Sequence, residues 1–314
     1  MTNPLVLVGG FGFVGRNILD IVRTNSAFKS FSPVVIDDLS NACPGHESLD
    51  VPHHIGPYET AEAVAFLETM DETPRTFVFL AGETRVAESK DRPLDFIKAN
   101  IADPAKFVME AVRPKDHFIL ISTAGALFDG TFEVTVDAAY CPKNFYGASK
   151  AAEEMVLEKL VELRGAKFSI VRLTNVFGIH SIKKKSAIHA FTRAAIAEQT
   201  VTVNGDGQQS RDFIFSRDVG FGIATLADRA HRGVPTNKVN MLGSGVSTSL
   251  MDVIHTIEAA TGKALKYNQI PAADLIATEP RDVIARKSDV LVLLEGNITP
   301  FQDGIKATFE YYSS

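Results

Sequence analysis

The 314-residue sequence lacks several features that would place it in a specialised class of protein. Two cysteines, Cys43 and Cys141, are too few for a disulfide framework or a structural zinc site, so no metal is expected. Apolar runs such as Phe77–Ala81 and Val290–Leu294 are far shorter than the ~20 residues that cross a bilayer. The 32 basic residues are outnumbered by 38 acidic ones, which argues against a nucleic-acid partner. The first residues lack the basic start of a signal peptide. We therefore expect a soluble cytoplasmic protein without a membrane partner.

What the sequence does contain is the composition and patterning of a globular α/β protein. Apolar residues make up 45% and charged residues 22%, which excludes a disordered, collagen-like or coiled-coil chain. Short, unbroken apolar runs alternate with helix-length stretches, as in a parallel sheet buried on both faces. The runs are Leu5–Val8, Val34–Ile36, Phe77–Leu80, Phe118–Ile121 and Phe168–Leu173, and the helical stretches are Arg16–Val22, Ala61–Thr69, Leu94–Val112 and Ala148–Leu163. The predicted fold is a Rossmann-type, doubly wound parallel sheet.

The alternation loosens after residue 175. The later segments predict further helices and short strands around a turn-rich stretch at residues 204–207. No internal repeat or low-complexity linker separates the two parts. We predict a Rossmann domain over residues 1–175 and a smaller C-terminal lobe over residues 176–314, with an interleaved boundary.

A glycine-rich segment follows the first apolar run directly. Gly9, Gly12 and Gly15 form the pattern G-x-x-G-x-x-G between a predicted strand and a predicted helix. Small residues let the backbone turn tightly and approach a pyrophosphate, which the N–H groups at the start of the next helix then bind. The alternative reading is a purely structural turn. The position favours a dinucleotide site.

An acidic residue ends the second apolar run. Asp37 lies 22 residues after Gly15, where a carboxylate hydrogen-bonds the adenosine ribose and repels a 2′-phosphate. No Lys or Arg occurs between Lys29 and Arg75, so no local cation is expected to hold that phosphate. These observations predict NAD rather than NADP. In the alternative reading, Asp37 is a cap or turn residue.

A phenol and an ammonium are spaced for one face of a helix. Tyr146 and Lys150 are four residues apart, and a nearby ammonium stabilises a phenolate, so we expect the pKa of Tyr146 to be lowered for acid–base work. Thr123 ends the run that precedes this helix, at the sheet edge where ligands bind. A solvated helix face is the alternative reading of the pair.

The order of these motifs resembles the extended short-chain dehydrogenase/reductases, and within them the NAD-dependent epimerase/dehydratase family typified by UDP-glucose 4-epimerase. The resemblance covers nearly the whole chain. It is carried by residues 8–15, 35–40, 79–82, Arg92-Pro93 with Asn100, 121–124, 146–150, 172–178, 204–207, 211–214 and 242–245.

The resemblance implies a role for each matching residue. Tyr146 is expected to act as base toward a sugar hydroxyl, Lys150 to hold the nicotinamide ribose, and Thr123 to hydrogen-bond the reacting oxygen. The first domain is then the NAD-binding one, and the smaller lobe binds substrate. The implied NAD-binding residues are Gly9, Gly12, Phe13, Val14, Gly15, Asp37, Asp38, Ser40, Asn41, Leu80, Ala81, Gly82, Asn100, Ile121, Tyr146 and Lys150. With Thr123, the implied substrate-binding residues are Asn175, Arg211 and Arg281.

Three positions depart from the family pattern. His54 stands where an aspartate commonly contacts the adenine, and we interpret it as a packed or solvated histidine. Residues 279–282 place Glu279 where the family has a diphosphate-binding arginine, which leaves Arg281 as its substitute. Residues 126–128 read Ala-Leu-Phe instead of the usual Val-Tyr-Gly.

The residues after Thr123 narrow the choice of reaction. Ala124 and Gly125 stand where the family's dehydratases and decarboxylases carry carboxylates. The favoured function is therefore a nucleotide-sugar epimerase that transiently oxidises a sugar hydroxyl with retained NAD. The alternatives are an NAD(P)H-dependent reductase of a nucleotide-activated 4-keto-6-deoxy sugar and, from another class, a non-catalytic NAD(P)-sensing protein. The family also implies a homodimer through the helices near residues 94–112 and 148–163.

Overall fold

A computed structural model describes residues 3–70, 72–128, 133–271 and 282–314. Its centre is a seven-stranded sheet in the order β12-β7-β5-β4-β1-β2-β3, in which each neighbouring pair is parallel. These strands are β1 (Asn3–Val8), β2 (Phe31–Asp37), β3 (His53–Ile55), β4 (Thr76–Phe79), β5 (His117–Thr123), β7 (Lys167–Leu173) and β12 (Val239–Leu242). The predicted Rossmann-type sheet is confirmed.

Helices cover both faces of this sheet. The described helices are α1 (Phe13–Thr24), α2 (Ala61–Glu68), α3 (Val86–Ser89), α4 (Pro93–Ile97), α5 (Asp103–Ala111), α6 (Phe145–Leu163), α7 (Ala187–Ala197), α8 (Ser216–His231), α9 (Leu250–Thr261), α10 (Lys287–Val290) and α11 (Phe301–Ser313). Short 3₁₀ turns occur at Ser26–Phe28 and His46–Ser48.

The unbroken apolar runs are explained by burial on both faces. In β1, Leu5 and Leu7 belong to the core under α1 and α8, whereas Val6 and Val8 belong to the core under α2, α5 and α6. Since successive side chains of a strand point to opposite faces, a strand covered on both sides needs an apolar residue at every position.

The helix predicted over Leu94–Val112 is interrupted. Residues 98–102 form a π-helical turn between α4 and α5. Asn100, inside this turn, is fully buried and donates from Nδ2 to Ser149 Oγ at 3.0 Å. The wider turn therefore directs a polar side chain inward, a use typical of π-bulges at functional sites.

The remaining strands lie outside the main sheet and form three smaller sheets. They form a four-stranded sheet in the order β13-β10-β15-β6 and the pairs β8–β11 and β9–β14. Their bounds are β6 (Glu133–Val134), β8 (Asn175–Phe177), β9 (Val201–Asn204), β10 (Ser210–Arg211), β11 (Phe213–Phe215), β13 (Thr248–Ser249), β14 (Tyr267–Ile270) and β15 (Asp282–Ala285). Because β12 pairs with β7, residues beyond 175 also complete the large sheet. The division at residue 175 stays a prediction.

Two glycines of α8 lie in close contacts of different kinds, and only Gly220 faces α1. A Cβ on Gly220 would lie 2.8 Å from the carbonyl oxygen of Asn17 in α1, whereas a Cβ on Gly222 would lie 2.7 Å from a methyl group of Leu242. A backbone in a packed helix cannot yield, but the end of a leucine side chain can rotate.

These two glycines provide a matched test of the helix packing. We expect Gly220→Ala to destabilise the protein by about 1–3 kcal/mol because it drives α8 away from α1. Both substitutions gain the same helix propensity, about 1 kcal/mol. We expect Gly222→Ala to be at least ~1 kcal/mol more stable than Gly220→Ala, because the neighbours of Gly222 are methyl groups that can move. Urea unfolding of both variants measures the difference, and equal stabilities would contradict this account of the packing.

Candidate active site

The predicted motifs meet at one edge of the large sheet. β1 and β4 are neighbours whose crossovers run in opposite directions, which makes their carboxyl ends the switch point where ligands bind in such sheets. Gly9 follows β1 with a φ of +82°, and a Cβ there would lie 3.2 Å from the amide nitrogen of Ala81 after β4. A Cβ on Gly15 would lie 2.5 Å from the carbonyl oxygen of Gly10. Only glycine satisfies both constraints.

The start of α1 presents unpaired amides to this edge. Gly12 is its N-cap and offers no side-chain hydrogen bond. The amides of Phe13, Val14 and Gly15 in the first helical turn have no intrahelical acceptor. Together with the helix dipole, these amides suit an anion such as a pyrophosphate.

Asp37, at the end of β2, has a structural contact as well as the expected position beside the glycine loop. Its buried carboxylate accepts from the amides of Phe11 at 2.9 Å and Leu39 at 2.8 Å. Burial raises the pKa of Asp37 above its ordinary value, although these two amides favour the anion. Each carboxylate oxygen still has a lone pair for a ribose hydroxyl. The turn role and the binding role are therefore compatible.

The neighbouring predicted residues are exposed and bonded to one another. Asp38 Oδ1 accepts from the amide of Ser40 at 2.9 Å and from its hydroxyl at 2.6 Å. Asn41 Nδ2 lies 3.5 Å from Ser40 Oγ. This loop has the shape of an Asx turn at the rim of the site.

No local cation lies at this rim, as the sequence predicts, but two lysines from a distant segment approach it. Lys183 Nζ lies 3.4 Å from the carbonyl oxygen of Ser40, and the Lys184 ammonium lies 5.6 Å from the centre of the Phe13 ring. Both lysines come from a segment about 140 residues farther along the chain, so a count of local residues does not find them. Asp37 alone therefore carries the preference for NAD.

Asn100 connects the loop after β4 to α6. Its Oδ1 accepts from the amide of Glu83 at 2.8 Å, and its Nδ2 donates to the carbonyl of Glu83 at 3.1 Å as well as to Ser149. A Cβ on Gly82, where φ is +137°, would lie 2.7 Å from Asn100 Oδ1. Asn100 thus fixes the backbone that follows Leu80, opposite the glycine loop.

The predicted catalytic residues are brought together where α6 meets the end of β5. Asn144 is the N-cap of α6 and accepts from the amide of Gly147 at 2.8 Å. Gly147 has no room for a Cβ because the carbonyl of Ala126 lies against it. Thr123 lies beside the hydroxyl of Tyr146, where it favours the phenolate.

The predicted lowering of the pKa of Tyr146 was wrong. Burial raises this pKa above its ordinary value and outweighs the opposing charge of Lys150 and the hydrogen bond from Thr123. The carboxylate of Glu153 raises it further. Tyr146 is 8% exposed and packs against Phe96, so its phenolate is poorly solvated.

Glu153 is a site residue that the sequence reasoning missed. It is fully buried one helical turn after Lys150 and forms an ion pair with the Lys150 ammonium. Burial raises the pKa of Glu153 to about 7, although the charge of Lys150 opposes this. The i, i+3 spacing would have found the pair, but two adjacent glutamates read as a solvated helix surface.

The second glutamate, Glu154, has a structural partner. Its carboxylate accepts from Arg172 Nη2 at 2.8 Å and from the Tyr140 hydroxyl at 2.6 Å, and both Glu154 and Arg172 are buried. The Arg172 guanidinium also lies 5.4 Å from the centre of the Phe128 ring. Phe128, which belongs to the segment 126–128 that departs from the family pattern, thus packs against the ion pair that connects α6 and β7.

Two of the predicted substrate residues, Asn175 and Arg211, bond to neighbouring backbone carbonyls of the segment 210–212. Asn175 Nδ2 donates to the carbonyl of Asp212 at 3.1 Å, and Arg211 Nη1 donates to that of Ser210 at 2.8 Å. The Asp212 carboxylate accepts from several backbone amides of surrounding loops, among them that of Ser244 at 2.7 Å. Arg281 and Glu279 lie outside the described residues. His54, on β3, packs its ring 5.9 Å from that of Phe66.

The site fits a bound dinucleotide. The first-turn amides of α1 suit the pyrophosphate, and the open lone pairs of Asp37 suit the adenosine ribose. Lys150 donates to the carbonyl of Ile121 at 3.1 Å and forms an ion pair with Glu153. Since an ammonium has three donors, one remains for a second ribose hydroxyl.

Comparison with known proteins shows the family to which the chain belongs. Residues 5–241 match the model of the NAD dependent epimerase/dehydratase family, and the chain belongs to this family. It is 26% identical over 317 residues to the low-salt glycan biosynthesis protein Agl12 of Haloferax volcanii, with 98% of each covered. It is 27% identical over 307 residues to the UDP-glucose 4-epimerase of Azospirillum brasilense, with 90% of this chain and 84% of the relative covered.

The fold is also that of a solved epimerase. UDP-glucuronic acid 4-epimerase from Bacillus cereus, crystallised with UDP-glucuronic acid and NAD, superposes with a TM-score of 0.83 at 22% identity, and 99% of each chain is covered. In the part of the chain that the structure describes, no helix is both long and apolar enough to cross a membrane.

The buried carboxyl of Glu153 predicts a pH-dependent stability. A carboxyl with a raised pKa in the folded state stabilises the fold at low pH, and this is lost as the pH rises from about 4.5 through about 7. Glutamine has no proton to lose. We therefore expect the free energy of unfolding of the parent to fall relative to that of Glu153→Gln over this range.

Urea unfolding at several pH values tests this expectation. Glu162→Gln is the control, because Glu162 lies on the exposed side of the same helix, paired with Lys159. The free energy of unfolding of Glu162→Gln should differ from that of the parent by the same amount at pH 4.5 and at pH 7. If the difference between Glu153→Gln and the parent were constant as well, Glu153 would not have a raised pKa in the folded protein.

Proposed function

We propose that this member of the NAD-dependent epimerase/dehydratase family is a nucleotide-sugar epimerase that uses NAD to oxidise a sugar hydroxyl transiently. The observation that carries the proposal is the assembly of Thr123, Tyr146 and Lys150 beside a dinucleotide-binding edge. Ala124 and Gly125 follow Thr123 without a carboxylate, which argues against dehydration at this position. The named epimerases among its relatives support the same reaction class.

Tyr146 is the base in this proposal. Its phenolate oxygen accepts the proton of the sugar hydroxyl and becomes the phenol, and Thr123 hydrogen-bonds the same sugar oxygen as its charge develops. Lys150 holds a ribose hydroxyl with its third donor and stabilises the phenolate by its charge. Bound NAD supplies the acceptance and return of a hydride. Epimerisation follows when the oxidised sugar presents its other face before the hydride returns.

One observation favours the second candidate, a reductase of a nucleotide-activated 4-keto sugar. Because the pKa of Tyr146 is raised, the phenol keeps its proton near neutral pH, which is the state that donates a proton to a ketone. An epimerase needs both states in turn. The two reactions can be distinguished by the cofactor, because an epimerase retains it and a reductase exchanges it in each turnover.

We also propose the substrate contacts and the oligomeric state. Asn175 and Arg211 on the smaller lobe, together with Arg281, bind the nucleotide diphosphate; a guanidinium suits bidentate binding of phosphate oxygens. Exposed apolar side chains on α4, α5 and α6 support a homodimer through these helices. They are Leu94, Ile97, Met109, Met155 and Leu163. Large apolar side chains grouped on neighbouring helices mark an interface.

A cytoplasmic location is part of the proposal. Cys43 and Cys141 are free, one buried and one exposed. Unpaired thiols of this kind are the rule in a reducing compartment.

Substitution of the tyrosine tests the reaction. We expect Tyr146→Phe to lower kcat by at least ~10³-fold because it removes the proton acceptor, while the affinity for NAD stays within about threefold. Turnover is followed with UDP- and dTDP-linked sugars by chromatography, and affinity by calorimetry. Tyr140→Phe is the control, since Tyr140 bonds to Glu154 rather than to Thr123. Near-normal turnover by Tyr146→Phe would refute the assignment.

The small molecules released on denaturation identify the cofactor and separate the two candidates. From protein purified without added nucleotide, we expect about one NAD per chain and little NADP, because the Asp37 carboxylate repels a 2′-phosphate. Lys183→Ala should release the same dinucleotide. If the parent released NADP and Lys183→Ala did not, Lys183 would be the residue that binds the 2′-phosphate. Protein that releases no dinucleotide would favour the reductase, which exchanges its cofactor in each turnover.

A further inference from the structure

The buried pair of Lys150 and Glu153 has a consequence for the chemistry of Tyr146. Lys150 is 5% exposed and Glu153 is fully buried. The charged groups that act on Glu153 are Lys150 and Glu154, and Glu154 is itself bound to Arg172. Glu153 in turn raises the pKa of Tyr58, whose ring packs against the core on this side of α6. Lys150 is thus the partner that compensates the charge of Glu153.

The pair also fixes the direction of the Lys150 side chain. The ammonium donates to the carbonyl of Ile121 at the end of β5 and forms an ion pair with Glu153 within α6. These two partners hold the ammonium in place and leave it an N–H for a ligand, because an ammonium has three donors. A lysine held by one contact would keep more rotamer freedom.

We propose that Glu153 is a positioning residue for Lys150, which aims its free N–H at the cofactor ribose and partly cancels the positive charge that acts on the Tyr146 hydroxyl. Two effects follow. Without the negative charge of Glu153, Tyr146 loses its proton at lower pH, because Lys150 then stabilises the phenolate without opposition. Without an acceptor at this position, Lys150 is held by Ile121 alone.

Two substitutions separate these effects. Glu153→Gln removes the charge, but its Oε1 still accepts from Lys150. Glu153→Ala removes both the charge and the acceptor, and alanine retains the helix. The charge effect is expected in both variants, and the positioning effect only in Glu153→Ala. Glu162→Gln on the exposed side of α6 is again the control.

The titration of Tyr146 tests the charge effect without turnover. Protein labelled with ¹³C at the tyrosine ring carbon that bears the hydroxyl is titrated by NMR, and the Tyr146 signal is assigned from its absence in Tyr146→Phe. We expect the midpoint in Glu153→Gln and Glu153→Ala to lie lower than in the parent by about one pH unit or more. A midpoint equal to that of the parent, or no ionisation in any variant over the range where the protein is folded, would overturn the proposal.

Calorimetry with NAD tests the positioning effect, which rests on the proposed cofactor. We expect the dissociation constant to stay within about threefold in Glu153→Gln and to rise about tenfold or more in Glu153→Ala, because one well-placed hydrogen bond is lost. Equal losses in both variants, or none in either, would refute a positioning role. If the parent does not bind NAD, the proposed function fails, whereas the tyrosine titration still decides the charge effect.

Discussion

A buried ammonium must be compensated, and this requirement organises the site around Lys150. Moving a charge from water into a protein interior costs several kcal/mol unless hydrogen bonds and an opposite charge replace its hydration. Lys150 meets the requirement with the Ile121 carbonyl and the Glu153 carboxylate. Because these acceptors belong to β5 and α6, the compensation also holds the helix against the strand end.

The rest of the site follows from the way a doubly wound sheet ends. Parallel strands bring their carboxyl ends to one edge, so the glycine loop after β1, the loop after β4 and Thr123 at the end of β5 become neighbours. Close approach is possible because Gly9 and Gly15 carry no Cβ where backbone already fills the space. Asn100 then fixes the loop after β4 through a π-helical turn that points its side chain inward.

Local pattern was enough to predict the sheet and the motifs that the structure brings to its ligand-binding edge. Unbroken apolar runs identify strands buried on both faces, and the glycine spacing identifies the turn, because these are properties of neighbouring residues. The features that the sequence did not reveal are those whose deciding contact is distant or collective. Lys183 reaches Ser40 through folding of the second half of the chain, and the interruption at residues 98–102 depends on a partner in α6. The pKa of Tyr146 depends on burial, which no spacing between two residues reveals.

The balance between Lys150 and Glu153 bears on the choice between epimerase and reductase. An uncompensated ammonium beside Tyr146 would favour the phenolate, the form that starts an oxidation. Partial cancellation by Glu153 favours the phenol, the form that completes a reduction. An epimerase passes through both within one turnover, so it works best when neither form is strongly preferred. An oxidised nicotinamide bound here would add a positive charge in the half-reaction that needs the phenolate, and this charge would oppose the bias of Tyr146 toward the phenol. A nearly neutral Lys150–Glu153 pair therefore leaves the control of the proton on Tyr146 to the redox state of the cofactor.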